Sequence, residues 1–142
     1  MEIMKSGSYE NTIEIAKKFS ETLKPNDIIL LYGDLGAGKT CFVNGILQGF
    51  GFTDGGSSPT FTIVNEYPSN PPVNHFDLYR IKNPDELYEI GFFEYLDSGR
   101  INIIEWPERA GDILSEYKKI KIEIIISENL DEREINIEDF SL

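Results

Sequence analysis

The residues with the clearest chemistry are Gly33, Gly38, Lys39 and Thr40, which complete the spacing G-x-x-x-x-G-K-[ST]. That is the phosphate-binding loop of nucleoside triphosphatases. Glycines let the backbone curl so that successive N–H groups face phosphate oxygens at a helix N-terminus. Lys39 carries a mobile positive charge to the β- and γ-phosphates, and the Thr40 hydroxyl is placed for Mg²⁺. The whole run Asp34, Leu35, Gly36, Ala37, Gly38, Lys39, Thr40 and Cys41 is therefore the expected nucleotide-binding segment. A Gly-rich turn with an exposed lysine is the competing reading, and the flanking sequence argues against it. Ile28 to Tyr32 is an apolar run too short for a helix, and Thr40 to Leu47 has apolar residues at helical spacing. Strand, loop and helix follow in the order that the motif requires.

A phosphate loop alone does not hydrolyse ATP. It needs an acidic group at a strand end to hold the metal or its waters, and something to orient the attacking water. Asp77 follows the run Val73 to Phe76, and Glu105 ends the apolar run from Ile101. Each is either a site residue or a solvated strand terminus, and the phosphate loop favours the first reading. Thr60, behind the Gly/Ser segment 54–58, is a candidate switch residue and equally an ordinary turn threonine. His75, the single histidine, shares the strand face of Asp77 and is more readily explained as a packed, hydrogen-bonded residue than as a catalyst. Arg80 either neutralises charge at the site or pairs with one of the many acids. Cys41 reads as a small apolar filler at the start of its helix.

Composition narrows the class. A chain of 142 residues suits one domain, taken here as 1–142, with a core that needs no staples. Thirteen basic residues against 25 acidic give a net charge of −12, which disfavours direct, tight binding to nucleic acid. One cysteine excludes an internal disulfide or a cysteine-based zinc site and fits a reducing compartment. No stretch is long and apolar enough to span a membrane and the first residues lack the apolar core of a signal peptide, so a cytoplasmic location is expected.

The elements that would position these residues follow from periodicity. Residues 1–5 are expected as an edge strand. A helix should run from Tyr9 to Leu23, capped by Ser8, and a turn at Pro25-Asn26-Asp27 should lead into the phosphate-loop strand. The helix after Lys39 should end near Gly49 or Gly51. Phe61 to Tyr67 and Val73 to Tyr79 read as two strands joined closely enough to be antiparallel. Asn83-Pro84 starts a helix, and Phe92 to Leu96 supplies core. Ile101 to Trp106 is a strand, Ala110 to Tyr117 a short helix, and Lys119 to Ser127 a strand whose Ile124-Ile125-Ile126 suggests burial on both faces. Asn129 to Glu132 turns the chain into a return strand at Ile135 to Ile137. The sum is an α/β phosphate-loop domain, a mixed and mostly parallel sheet flanked by helices with antiparallel edge strands.

With these residues in view, the chain resembles the TsaE (YjeE) family of small bacterial ATPases. The resemblance rests on Gly33 to Thr40, Ser58-Pro59-Thr60-Phe61, His75-Phe76-Asp77-Leu78-Tyr79-Arg80 and Ile104-Glu105-Trp106-Pro107-Glu108, in that order. It implies a Mg²⁺-dependent ATPase required for threonylcarbamoyladenosine modification at position 37 of tRNA. It also implies work within a complex of the TsaD and TsaB proteins, which would hold the tRNA while this acidic chain meets it only indirectly. By the same resemblance Lys39 and Thr40 lie on the phosphates and the metal, Glu105 is a Mg²⁺ ligand, Asp77 a catalytic or metal-supporting carboxylate, and Thr60 a switch-loop residue. Trp106 is implied near the site. Cys41 stands where the family more often has a second threonine. A small-molecule kinase using the same loop is the alternative, though no Arg-rich lid is visible. A nucleotide-gated binding module with negligible turnover is another, and a GTPase is disfavoured because no Asn-Lys-x-Asp motif occurs.

Overall fold

The computed structural model describes residues 2–34, 36–54 and 63–140. Seven strands form one sheet in the order β1-β7-β6-β2-β5-β4-β3. They are β1 (Glu2–Ser6), β2 (Ile28–Gly33), β3 (Val64–Tyr67), β4 (Val73–Asp77), β5 (Ile101–Glu105), β6 (Lys119–Ile126) and β7 (Arg133–Phe140). The central strands β6, β2, β5 and β4 run parallel, while β3 on one side and β7 with β1 on the other are antiparallel. Parallel strands need cover on both faces, and both faces are covered. Helices α1 (Tyr9–Ser20) and α2 (Lys39–Gly49) pack on one face over Ile29, Leu31, Ile103 and Ile122. The short helices α3 (Glu86–Glu89) and α4 (Phe92–Leu96) cover the other, over Leu30, Phe76 and Ile104.

Two local features place the phosphate loop. Ser8 caps α1, its hydroxyl accepting from the Asn11 N–H at 3.0 Å, with Glu10 in the first turn. Gly45 then lets α2 lie directly on α1, because a Cβ there would meet the Ala16 Cβ at 2.4 Å. The start of α2, and with it the loop, is thereby fixed against a second helix.

Several expectations are corrected in detail. The stretch Ala110 to Tyr117 forms no helix: a single 3-10 turn spans Pro107–Ala110, and Gly111, at φ 58°, closes it before isolated turns follow. The helix expected after Asn83 is a turn followed by α3 and α4, divided at Gly91, which adopts φ 75°. The run Ile124-Ile125-Ile126 is not buried on both faces. Ile124 is buried beside Gly33, the last residue of β2, but Ile125 and Ile126 extend past the end of β2 and are exposed. The return strand is longer than expected, running the full length of β6. The expected strand start at Phe61 lies outside the described residues.

Candidate functional site

The site is assembled where three parallel strands end. β2 leads into the phosphate loop, β4 ends at Asp77, and β5 ends at Glu105, with Asp77 and Glu105 in register. This is where open α/β sheets bind ligands, outside the carboxyl ends of their strands. The loop itself is a tight turn in which the Ala37 N–H donates to the Asp34 carbonyl at 2.9 Å. Gly36 and Gly38 take φ values of 81° and 112°, which a residue with a Cβ rarely adopts. Gly38 then caps α2, and its carbonyl accepts from the Phe42 N–H at 2.9 Å. The first turn of α2 has N–H groups with no intrahelical partner, the ordinary anion-receiving end of a helix.

Charged side chains converge beside that loop. Glu105 is buried, with only 3% of its surface exposed, and its two oxygens are divided between neighbours. Oε2 lies 2.6 Å from His75 Nε2, and Oε1 lies 3.8 Å from Lys39 Nζ. His75 is fully buried, and its Nδ1 has no hydrogen-bond partner among the described residues. Its place is therefore that of a packed residue holding Glu105, a pairing across 30 residues of sequence that spacing does not disclose. Asp77 is partly buried at the same end, its Oδ1 accepting from the Tyr79 N–H at 3.0 Å. Burial raises its carboxyl above the ordinary aspartate range and Glu105 adds to the rise, while the Tyr79 N–H, His75 and Lys39 oppose it.

Trp106 follows Glu105 in the left-handed conformation, φ 55° and ψ 48°, an uncommon state for a bulky residue. The sharp turn lets the indole lie under Lys39, whose Nζ is 5.2 Å from the ring centre. Tyr79 also packs against the indole, with ring centres 4.9 Å apart, and the Leu78 N–H ties β4 to the Glu105 carbonyl at 3.1 Å. Trp106 therefore lies at the site. Arg80 is exposed.

Of the expected site residues, the fold brings Lys39, Thr40, Asp77 and Glu105 to one end of the sheet, beside Asp34, Gly36, Ala37 and Gly38. Leu35 and Thr60 lie outside the described residues. The Cys41 side chain turns away, its Sγ 3.5 Å from the Tyr9 carbonyl oxygen in the α1–α2 contact. Burial pushes its thiol up to about 11, which suits a packed side chain. Arg133, which carried no sequence signal, reaches the loop from β7 and donates to the Ala37 carbonyl at 2.8 Å.

Among the described residues no three His, Cys, Asp or Glu side chains converge as a metal cage. The oxygen donors present, the Thr40 hydroxyl and the Glu105 and Asp77 carboxylates, suit a hard cation that keeps waters and shares a ligand's phosphates, which is the habit of Mg²⁺. Among the described residues no helix is long and apolar enough to cross a membrane.

Comparison with known proteins adds independent findings. The sequence profile of the family described as "Threonylcarbamoyl adenosine biosynthesis protein TsaE" matches residues 6–135. The chain is similar to proteins named "tRNA threonylcarbamoyladenosine biosynthesis protein TsaE". It is 50% identical to that of Rickettsia conorii over 76% of this chain and 62% of the relative. To that of Bacillus subtilis it is 40% identical over 89% of this chain and 78% of the relative. The match thus spans less than two thirds of the Rickettsia conorii protein. Among solved structures, the crystal structure of Bacillus subtilis YdiB superposes with a TM-score of 0.78 at 32% identity, covering 96% of this chain and 83% of that one.

Proposed function

The chain belongs to the TsaE family, and from that premise we propose that it is a Mg²⁺-dependent ATPase supporting threonylcarbamoyladenosine modification of tRNA. The observation that carries the reading is Lys39, at the mouth of a helix-capping glycine turn, facing a buried carboxylate on the adjacent strand end. Backbone N–H groups of the loop receive the phosphates, and Lys39 neutralises the β/γ charge. Bound Mg²⁺ would supply charge neutralisation, held by Thr40 and Glu105. Asp77, in register with Glu105 at the end of β4, would orient the attacking water or support the metal, and the family resemblance implies Thr60 as a switch-loop residue. His75 keeps Glu105 oriented. The family resemblance implies that TsaD and TsaB hold the tRNA, and a net charge of −12, which repels a phosphate backbone, supports that reading. The cytosol, where tRNA modification runs, is the matching compartment.

The test is ATP hydrolysis by the purified chain, alone and with TsaD, TsaB and tRNA. Slow turnover that rises when the partners are added is the expected result. Hydrolysis indifferent to the partners, with phosphate appearing on a small metabolite, would replace this reading with a kinase.

A further inference from the structure

Arg133 opens β7 after the β6–β7 hairpin. Its backbone is held on both sides, by Ser6 of β1 and Ile126 of β6. From that fixed base the guanidinium spreads over four main-chain carbonyls. Nε donates to Ala37 O at 2.8 Å and Nη2 to Gly36 O at 3.4 Å, both in the phosphate loop. Nη1 donates to Glu132 O at 3.0 Å and to Leu130 O in its own hairpin. The loop and the hairpin are almost a hundred residues apart in sequence, and β7 is separated from β2 by β6. One side chain joins them.

We propose that Arg133 is a positioning residue for the phosphate loop, fastening its outward carbonyls to the β6–β7 hairpin so that its N–H groups stay set for phosphate. The inference rests on the reading that this loop binds a nucleotide. Its physical basis is the two-sided nature of an anion nest. A turn that aims N–H groups at an anion must aim carbonyls away from it, and those carbonyls need donors of their own. Gly36 and Gly38, both at positive φ, give the loop its shape but also give the unliganded backbone the freedom to lose it. Arg133 supplies the missing donors from a strand. A planar fork with five N–H groups reaches carbonyls on two segments together, which a lysine ammonium on its flexible stem does not do in one fixed geometry. Hydrogen bonding at a carbonyl also polarises its peptide group. The bond to Ala37 O therefore strengthens the N–H of Gly38, on the same peptide, as a donor.

The experiment compares wild type, Arg133→Met and Arg133→Lys by two readouts. Hydrogen exchange of the nucleotide-free proteins reports on loop residues 34–40 against residues 42–49 of α2. Calorimetric titration with ATP and Mg²⁺ reports affinity. Losing charge-assisted hydrogen bonds to the loop should speed loop exchange by about tenfold and weaken ATP by about tenfold in Arg133→Met. Exchange in the body of α2 should match wild type. Arg133→Lys should stay nearer the Met variant than wild type. Faster exchange confined to the hairpin, with the loop and the ATP affinity unchanged, would make Arg133 a hairpin residue only and overturn the proposal. Full recovery by lysine would overturn it as well, since charge and not the fork would then be the agent. Because loop exchange is read without nucleotide, it separates the two ideas. A wild type that ignores ATP would remove the nucleotide reading, while exchange alone would still decide whether Arg133 fastens the loop.

Discussion

Asn74 and His75 are neighbours on β4 that face opposite sides of the sheet, and each belongs to a buried polar cluster of different chemistry. Under α4, the Asn74 amide donates to Asn102 Oδ1 at 3.0 Å and to the Tyr95 carbonyl at 3.1 Å. The Asn102 amide in turn donates to the Leu96 and Arg100 carbonyls at 3.3 and 3.4 Å. These carbonyls lie at and just beyond the end of α4, and those of Tyr95 and Arg100 also accept from the Ser98 and Asn26 N–H groups. The cluster is neutral, and its work is to fasten a helix to the sheet. On the other face, His75, Glu105 and Lys39 form a cluster of ionisable groups that opens onto the phosphate loop. Glu105 Oε2 lies 2.6 Å from His75 Nε2, and Oε1 lies 3.8 Å from Lys39 Nζ. Buried polar groups are costly unless paired. The amide network carries no charge and pairs the side-chain N–H groups of Asn74 and Asn102, while Asn74 Oδ1 has no hydrogen-bond partner among the described residues. The charged cluster instead gathers a carboxylate, an imidazole and an ammonium beside the loop, where an arriving anion and cation would meet them.

That contrast can be broken from either side. The largest expected effect is on stability. Asn102→Leu would strip the amide donor from the Leu96 carbonyl and the acceptor from the Asn74 amide, and should cost about 3 kcal/mol in urea unfolding. The folded fraction should bind ATP within about twofold of wild type, because the cluster is neutral and on the far face. A large change in affinity with little loss of stability would erase the distinction between the two clusters. A smaller and more specific effect is expected on the charged side. Glu105→Gln keeps an acceptor for His75 and removes the charge, so the gain in ATP affinity from Mg²⁺ should shrink by about tenfold while Mg²⁺-free binding holds. An unchanged metal dependence, measured by titration with and without Mg²⁺, would reassign Glu105 to packing alone.

How much of this was legible in the sequence depends on the range of the interactions. The phosphate loop is local, and strand, turn and helix all fall within Ile28–Gly49, so residue spacing was enough. Asp77 and Glu105 were legible as carboxylates after apolar runs, because β4 and β5 are buried along their length. The join between His75 and Glu105 was not, since it depends on the register of β4 against β5. Arg133 was further out of reach, as its partners belong to a loop on a strand it does not pair with. Local signals also misled where they were weak. A few apolar residues after Ala110 suggested a helix, but Gly111 packs against Pro84 at a positive φ and ends the turn. The exposed Ile125 and Ile126 were read as core because periodicity cannot reveal that the neighbouring strand stops at Gly33.

The central claim is that the Lys39 end of the sheet is a nucleotide site, and calorimetric titration of ATP with Mg²⁺ into wild type and Lys39→Ala tests it most directly. The account predicts binding by wild type and a loss of at least about 100-fold in the variant, with the melting temperature nearly unchanged. Equal affinity in the two proteins would contradict it.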